Sequence, residues 1–249
     1  MCRISAAAIT LAAVLGVLLL IVWRRRKGQR LRDPQKWLQE LHKHLSLNHG
    51  EITDEYPEQV MIASHLKASD TVLEIGGNIG RASCVIAQIL DDDRRLVSLE
   101  SNPLHVQQLA ENRDLNGFHF QIEPAALSRR SLIQTGWDTL ASDVVLPGYF
   151  KVKTIDWATL RQKYNLIFDV LVADCEGALY YILQDEPTLL AGFKRVIMEN
   201  DYHEISHKQA VDNNLKRNGF RRIYVQPGGW GPCADYFFEV WQNSVNDSR

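Results

Sequence analysis

Short apolar runs alternate with amphipathic segments from about residue 50 onwards, which predicts that strands and helices alternate along the chain. Several runs are apolar throughout, as is typical of parallel strands buried on both faces. The pattern predicts an α/β domain with a mostly parallel sheet and helices on both faces. The predicted strands are 72–75, 96–99, 118–122, 166–173, 195–198 and 220–225, and the helices are 56–66, 81–90, 104–115, 178–184 and 211–218. A last strand over 234–241 is predicted to be antiparallel and to close a hairpin at the sheet's edge.

The stretch Thr71–Gly80 predicts a strand, a tight glycine turn and the start of a helix. Glycines at 76, 77 and 80 permit positive φ and leave room for a ligand against bare backbone. Glu100 ends the next predicted strand, twenty residues after Gly80, where an acid can hold the two hydroxyls of a ribose. Together these features indicate a nucleoside-type cofactor, although an ordinary strand-to-helix corner also fits the glycines alone.

The spacing of the turn differs from that of dinucleotide-binding proteins. It reads Gly-Gly-x-x-Gly after an acid, Glu74, instead of Gly-x-Gly-x-x-Gly after an apolar residue. Glu74 suits a ligand with a cationic amino acid end. The predicted cofactor residues of the turn are therefore Glu74, Gly76, Gly77, Asn78 and Gly80, and those after the next strand are Glu100, Ser101 and Asn102.

Polar residues also follow three later strands, and in a doubly wound sheet all these strand ends meet at one edge. Ala125 follows the third strand and is predicted to line the adenine side of the pocket. Asp174 and Glu176 follow the most apolar strand, where they can reach the reactive end of the cofactor. Both are candidate catalytic groups, and Asp174 is also a predicted cofactor-binding residue, although either acid can also serve as a cap of the next helix. His203, after the fifth strand, is a candidate base, although a lone histidine at a helix start is more often structural.

The long segment from Ser128 to Asn165 breaks into short mixed pieces. Such an insertion in an α/β domain often carries substrate contacts or a lid. A plain surface hairpin fits the same pattern, and the sequence leaves both alternatives open.

An uncharged run of twenty residues, Ile4 to Trp23, precedes the basic cluster Arg24–Lys27. The run is long enough to span a bilayer, and the charge follows it, unlike that of a cleaved signal. The expected arrangement is a single-pass membrane protein with a cytosolic domain. We predict an anchor over 1–27, a linker or connecting helix over 28–52 that lies along the membrane or covers the domain, the domain itself over 53–243, and a polar tail over 244–249.

Composition narrows the possible partners. The chain has 249 residues, a formal net charge of −2 and a pI near 6.4, so no nucleic-acid partner is expected. Its four cysteines, Cys2, Cys84, Cys175 and Cys233, have no metal-like spacing and are expected to be reduced thiols. Histidines of the connecting segment lack a ligand spacing as well, and the acids at the strand ends show no ligand set beyond themselves. No metal site is predicted.

The order and spacing of these pieces resemble the FkbM family of S-adenosylmethionine-dependent methyltransferases. The resemblance covers roughly residues 50–240 and is carried by the segments 74–80, 99–103, 123–128, 154–156 and 174–177 and by the strand ending at Glu199. It implies a class I methyltransferase fold, which is Rossmann-like with seven strands and the last one antiparallel. It also implies S-adenosylmethionine as cofactor and O-methylation of a hydroxyl group.

The resemblance assigns the turn residues of 74–80 and Glu100 to the cofactor, and Asp174 with Glu176 to an Asp-x-Glu-Gly signature. Two positions depart from the family pattern, since Val172 replaces a usual lysine and Tyr180 a usual acid. The expected activity is O-methyl transfer to a glycan, a lipid-linked acceptor or a small hydroxylated molecule. The alternatives are a protein or RNA methyltransferase and a catalytically silent, membrane-anchored scaffold.

Overall fold

The computed structural model describes residues 33–243, which form helices packed on both faces of a central sheet. The helices are α1 Pro34–His42, α2 Tyr56–His65, α3 Arg81–Ile89, α4 Pro103–Leu115, α5 Trp157–Tyr164, α6 Leu179–Asp185 and α7 Ile205–Arg217. The strands are β1 Val72–Ile75, β2 Leu96–Leu99, β3 Gln121–Glu123, β4 Ala126–Leu127, β5 Leu132–Thr135, β6 Asp138–Ala141, β7 Phe150–Val152, β8 Thr154–Ile155, β9 Val170–Ala173, β10 Arg195–Glu199, β11 Phe220–Gln226 and β12 Phe238–Asn243.

Seven strands form the main sheet in the order β3-β2-β1-β9-β10-β12-β11. All neighbouring pairs are parallel except the two that involve β12, which runs antiparallel to both β10 and β11. This strand order, with its inserted antiparallel strand, is that of the class I methyltransferase fold. The predicted α/β architecture, seven-stranded sheet and antiparallel last strand are confirmed.

The predicted antiparallel hairpin at the edge of the sheet is present as β11 and β12, but the last strand begins later than predicted. The strand predicted over 234–241 begins only at Phe238, because 3₁₀ helix Gly231–Tyr236 occupies the first part of that range. Strand β12 also lies between β10 and β11, so β11 forms the edge. The burial of the two strands explains this order, since β12 is almost entirely buried whereas β11 is mostly exposed.

Each face of the sheet carries its own apolar core, because alternate side chains of a strand point to opposite faces. On β1, Leu73 and Ile75 join a core with residues of α5, α6 and α7. Val72 joins the opposite core, which α1, α2, α3 and α4 cover. The predicted helices on both faces are therefore present.

Helix α1 belongs to the folded domain, although it falls within the predicted connecting segment 28–52. Its Leu38 and Leu41, together with Leu45, are buried in the core that contains α2 and α3. Of the two arrangements considered for this segment, residues 34–45 cover the domain. The predicted boundary at residue 53 therefore lies inside the packed structure.

The predicted membrane anchor, Ile4 to Trp23, and the predicted tail over 244–249 lie outside the described residues. Among the helices of residues 33–243, none has both the length and the apolar character needed to cross a bilayer.

The direction of the chain reverses between β1 and β9. From β1 the chain proceeds outwards to β2 and β3, whereas β9 and β10 lie on the other side. The connections that leave β1 and β9 therefore run in opposite directions, which leaves a crevice at the carboxyl ends of these two strands. Such a crevice is the usual ligand position in open α/β sheets. Gly76 borders this crevice with a φ of 94°, and a Cβ atom there would lie 1.6 Å from the carbonyl oxygen of Asp174.

Replacing Gly76 by alanine is expected to destabilise the protein far more than the same change at Gly117. Both glycines have positive φ, but a Cβ at Gly117 would meet nothing within 4 Å. Gly117→Ala should therefore lower the free energy of unfolding by about 1–2 kcal/mol through backbone strain alone. Gly76→Ala adds overpacking, typically a further 1–3 kcal/mol. Equal losses in urea titrations of the two variants would contradict the close approach of β1 and β9.

Candidate functional site

A cavity of about 460 Å³ lies at the carboxyl ends of β1, β2 and β9. Its size is that of a small-molecule pocket. Seven of the predicted site residues line it, namely Gly76, Asn78, Glu100, Ser101, Ala125, Asp174 and Glu176. The structure thus brings together residues from four separate predicted segments.

The glycine turn shapes one wall of this cavity with main-chain atoms. The backbone N–H groups of Gly76 and Gly77 both donate to the carbonyl oxygen of Leu99, at 3.0 and 2.9 Å, which ties the turn to β2. Asn78 has a φ of 47° and lines the cavity. Gly77 and Gly80 do not line the cavity. Their lack of a side chain lets the turn pack closely against Ser98 and Leu109.

Glu100 is held rigidly at the end of β2. One carboxylate oxygen accepts from the N–H of Asn78 at 2.8 Å and the other from the N–H of Asn102 at 2.7 Å. A carboxylate has about four acceptor positions, so each oxygen can still accept from a ligand hydroxyl. Asn102 itself lies outside the cavity lining, where its side chain accepts from Leu104 N–H and caps α4.

Glu74 is buried away from the cavity. Its side chain points to the same sheet face as that of Val72 and accepts a hydrogen bond from Ser83 of α3. Its Oε1 atom is buried and has no hydrogen-bond partner in the part of the chain that the structure describes. Burial raises the pKa of Glu74 to about 7. Glu74 therefore does not contact the cavity directly. Any effect of its carboxyl group on a ligand's amino acid end passes through the backbone of the turn.

The segment predicted as either a lid or a surface hairpin lines the cavity. Strands β5, β6 and β7 form an antiparallel sheet in the order β6-β5-β7. From it Leu132, Gln134, Trp137, Thr139, Leu140 and Ala141 line the cavity. Ser101 donates to Gln134 at 2.9 Å, which joins the small sheet to the end of β2.

Two arginines fix the base of this small sheet to α6 and the residue after it. Arg130 pairs with Asp185 and Arg129 with Glu186, each through two guanidinium nitrogens. Such bidentate pairs constrain orientation as well as distance. No local sequence pattern indicates these pairs, because the two partners of each pair lie more than fifty residues apart along the chain.

Asp174 lies between the cavity and a group of acidic side chains. Glu199 is the last residue of β10, Asp201 lies two residues further on, and Glu58 belongs to α2. Burial first, and then the neighbouring carboxylates, raise the pKa of Glu199 to about 8 and that of Asp201 to about 7. The same causes raise the pKa values of Glu58 and Asp174 well above their ordinary range. The sequence did not indicate Glu58, because a single acid on an amphipathic helix resembles a solvated position.

Glu176 and His203 lie together at the rim. Glu176 lines the cavity and has a φ of 51°, which is uncommon for a non-glycine residue. Burial raises its pKa, and the charge of His203 acts in the opposite direction. His203 is exposed, does not line the cavity, and packs against Trp230 with ring centroids 4.7 Å apart. Of the three candidate catalytic residues, Asp174 and Glu176 therefore contact the cavity.

The two positions that depart from the family pattern, Val172 and Tyr180, are both packed against other side chains. Val172 is buried in the core beneath α1–α4. Tyr180 stacks on His207 of α7 with ring centroids 3.8 Å apart. Neither residue lines the cavity.

No family model matches the sequence, and no curated protein matches it. Among solved structures, it is similar to a ribosomal protein L11 methylase from Lactobacillus delbrueckii subsp. bulgaricus (12% identity, 75% of this chain and 76% of that chain, TM-score 0.48). It is also similar to M. capricolum TrmK in complex with S-adenosylhomocysteine (12% identity, 75% and 67% covered, TM-score 0.47). A third is the O-methyltransferase TomG from Streptomyces achromogenes in complex with S-adenosylmethionine (14% identity, 76% and 79% covered, TM-score 0.46). Likenesses at this level are distant, and the fold assignment rests on the strand order and pairing.

Glu74→Gln is expected to gain stability relative to the wild type as the pH rises. The folded-state pKa of Glu74 is raised from 4.5 to about 7. The wild type therefore loses stability between these pH values, by on the order of 3 kcal/mol at most. Urea unfolding at pH 5 and pH 8 measures the change. Leu109→Ala, a buried apolar truncation, should give a loss independent of pH. A difference between Glu74→Gln and wild type that is the same at both pH values would contradict the buried carboxyl.

Proposed function

We propose that the protein is an S-adenosylmethionine-dependent methyltransferase that transfers a methyl group to a hydroxyl. The observation that carries this proposal is the Glu100 carboxylate, fixed by two backbone N–H groups in a cavity at the β1/β9 crevice. An acid at the end of the second strand of such a sheet is suited to the two hydroxyls of a ribose. The inserted antiparallel β12 favours a methyltransferase over a dinucleotide-dependent enzyme, by analogy of fold.

The cavity's residues fit the parts of this cofactor. Glu100 would hold the ribose, and the backbone beside Gly76 and Asn78 would receive the amino acid end. Ala125 and Leu127, both buried and both lining the cavity, offer an apolar surface for an adenine ring. The acidic edge around Asp174 would favour a ligand that carries positive charge.

The chemistry requires alignment and a proton acceptor. S-adenosylmethionine supplies a methyl group that is already activated by its sulfonium, so positioning carries much of the rate. The acceptor hydroxyl must lose its proton. Of the carboxylates that line the cavity, Asp174 and Glu176 are the two that follow the central strand β9. Their raised pKa values make them stronger bases than ordinary carboxylates. His203, beside Glu176, is suited to pass the proton on to solvent.

The acceptor is proposed to be a glycan, a lipid-linked molecule or a small hydroxylated compound, as the resemblance to the FkbM family implies. Trp137 and Leu140 support an acceptor with an apolar part, because both line the cavity and remain about half exposed. A nucleic-acid acceptor is disfavoured by the net charge of −2. The uncharged run at 4–23 with its basic flank supports a single-pass anchor and a cytosolic domain.

S-adenosylmethionine is expected to bind the full-length chain, and Glu100→Ala is expected to weaken this binding at least tenfold. The variant removes the acceptor of the ribose hydroxyls and leaves the N–H groups of Asn78 and Asn102 without their partner. Isothermal titration calorimetry measures both affinities. Glu111→Ala is the matched control. It removes a partly exposed carboxylate of α4 that does not line the cavity, so this variant should bind as the wild type does.

Absence of binding in a folded wild-type protein would contradict the proposal, as would unchanged affinity in Glu100→Ala. A screen of hydroxylated acceptors with labelled S-adenosylmethionine then tests the transfer itself. Binding without transfer to any acceptor class would favour the silent scaffold instead.

A further inference from the structure

Three carboxylates converge on the face of the sheet that α2 covers. Val172 and Ile197 point into the core on this face. Glu199 ends β10 two residues after Ile197, and Asp174 follows β9 two residues after Val172, with its N–H still bonded to β1, so both point the same way. Glu58 reaches them from α2. Ligand-type oxygens of Glu58, Asp174 and Glu199 all lie within 4.8 Å of one another.

Within residues 33–243, the groups that act most strongly on these three carboxylates are other acids. The charges that act most on Glu58, Asp174 and Glu199 are those of other carboxylates, including Asp201 and Glu55. Like charges at this separation repel strongly in a partly dry environment. Buried charges in proteins are normally paired or bound to a metal.

A fourth acid, Asp201, supplies an independent observation that points to a ligand. Asp201 is only 5% exposed, and its side chain is hydrogen-bonded to Asp174. Its Oδ2 atom is buried and has no hydrogen-bond partner among residues 33–243. Glu58 is likewise only 3% exposed. Buried acceptors without partners are rare in native proteins and often mark a water or an ion.

We propose that Glu58, Asp174 and Glu199 bind a hard divalent cation, with Asp201 as a supporting ligand. All the available ligand atoms are oxygens, which favours Mg²⁺, Ca²⁺ or Mn²⁺ over softer metals. Two oxygens bound to one Ca²⁺ are at most about 4.6–5.2 Å apart, and the three ligand oxygens lie within 4.8 Å of one another, so a single ion can be reached by all three.

The site shares Asp174 with the cavity, so a bound cation lies next to the place where an acceptor hydroxyl would be deprotonated. A cation there would leave coordination positions for water or for an acceptor oxygen. Cation binding does not depend on the proposed methyl transfer, since it can be measured without cofactor or acceptor.

The test is calorimetric titration of the EDTA-treated, dialysed full-length chain with CaCl₂, MgCl₂ and MnCl₂, together with thermal melting. At least one of these ions is expected to bind with a Kd below about 1 mM and to raise the melting temperature. Glu58→Gln and Glu199→Gln are each expected to weaken this binding at least tenfold. Because each change removes one repelling carboxylate, the metal-free variants should also melt at or above the wild-type temperature.

Glu123→Gln is the matched control. Glu123 is a buried carboxylate at the same edge of the sheet, but it is already paired with Lys163 at 2.5 Å and bonded to Tyr164. This variant should bind the cation as the wild type does. The proposal is overturned if none of the three ions binds the wild type, if both glutamine variants at 58 and 199 retain its affinity, or if Glu123→Gln loses binding to the same extent.

Discussion

The close approach of β1 and β9 at their carboxyl ends is the constraint on which the site depends. Gly76 leaves no room for a side chain, because a Cβ atom there would lie 1.6 Å from the carbonyl oxygen of Asp174. Both strands are buried on both faces, and each residue of β1 pairs with β2 on one side and β9 on the other. The position of Asp174 relative to the glycine turn is therefore set by the sheet itself. A site built on such rigid elements holds its groups more precisely than one carried by loops.

Burial of acidic groups at this edge gives the site its electrostatic character. Glu199 and Asp201 have pKa values raised to about 8 and about 7, and those of Glu58 and Asp174 are also raised. Carboxyl groups with such pKa values are partly protonated at neutral pH, and a cation bound in the cavity or at the proposed cation site would favour their charged form. A cationic cofactor on one side of Asp174 and a divalent ion on the other would each relieve part of the repulsion. The two proposals thus describe related uses of the same charge distribution.

Much of the fold could be predicted from the sequence because its strands are short apolar runs separated by clear helix and turn signals. Glu100 and the glycine turn were found for the same reason, since their spacing is local. The place of β12 between β10 and β11 was not, because the order of strands in a sheet depends on tertiary packing. The direction of the Glu74 side chain follows from strand alternation with Val72, which places it towards α3 and away from the cavity. Glu58 and the arginine pairs of the small sheet depend on contacts between distant segments and left no local pattern.

Hydrogen–deuterium exchange of the full-length chain, with and without S-adenosylhomocysteine, tests the central claim most directly. A ligand in the β1/β9 crevice should slow exchange in the segments that line it, namely 76–80, 99–102, 125–128, 132–141 and 174–178. The exposed strand β11, on the far edge of the sheet, should exchange at the same rate in both states. Protection confined to other segments, or no protection at a saturating concentration of the ligand, would contradict a nucleoside cofactor site in this cavity.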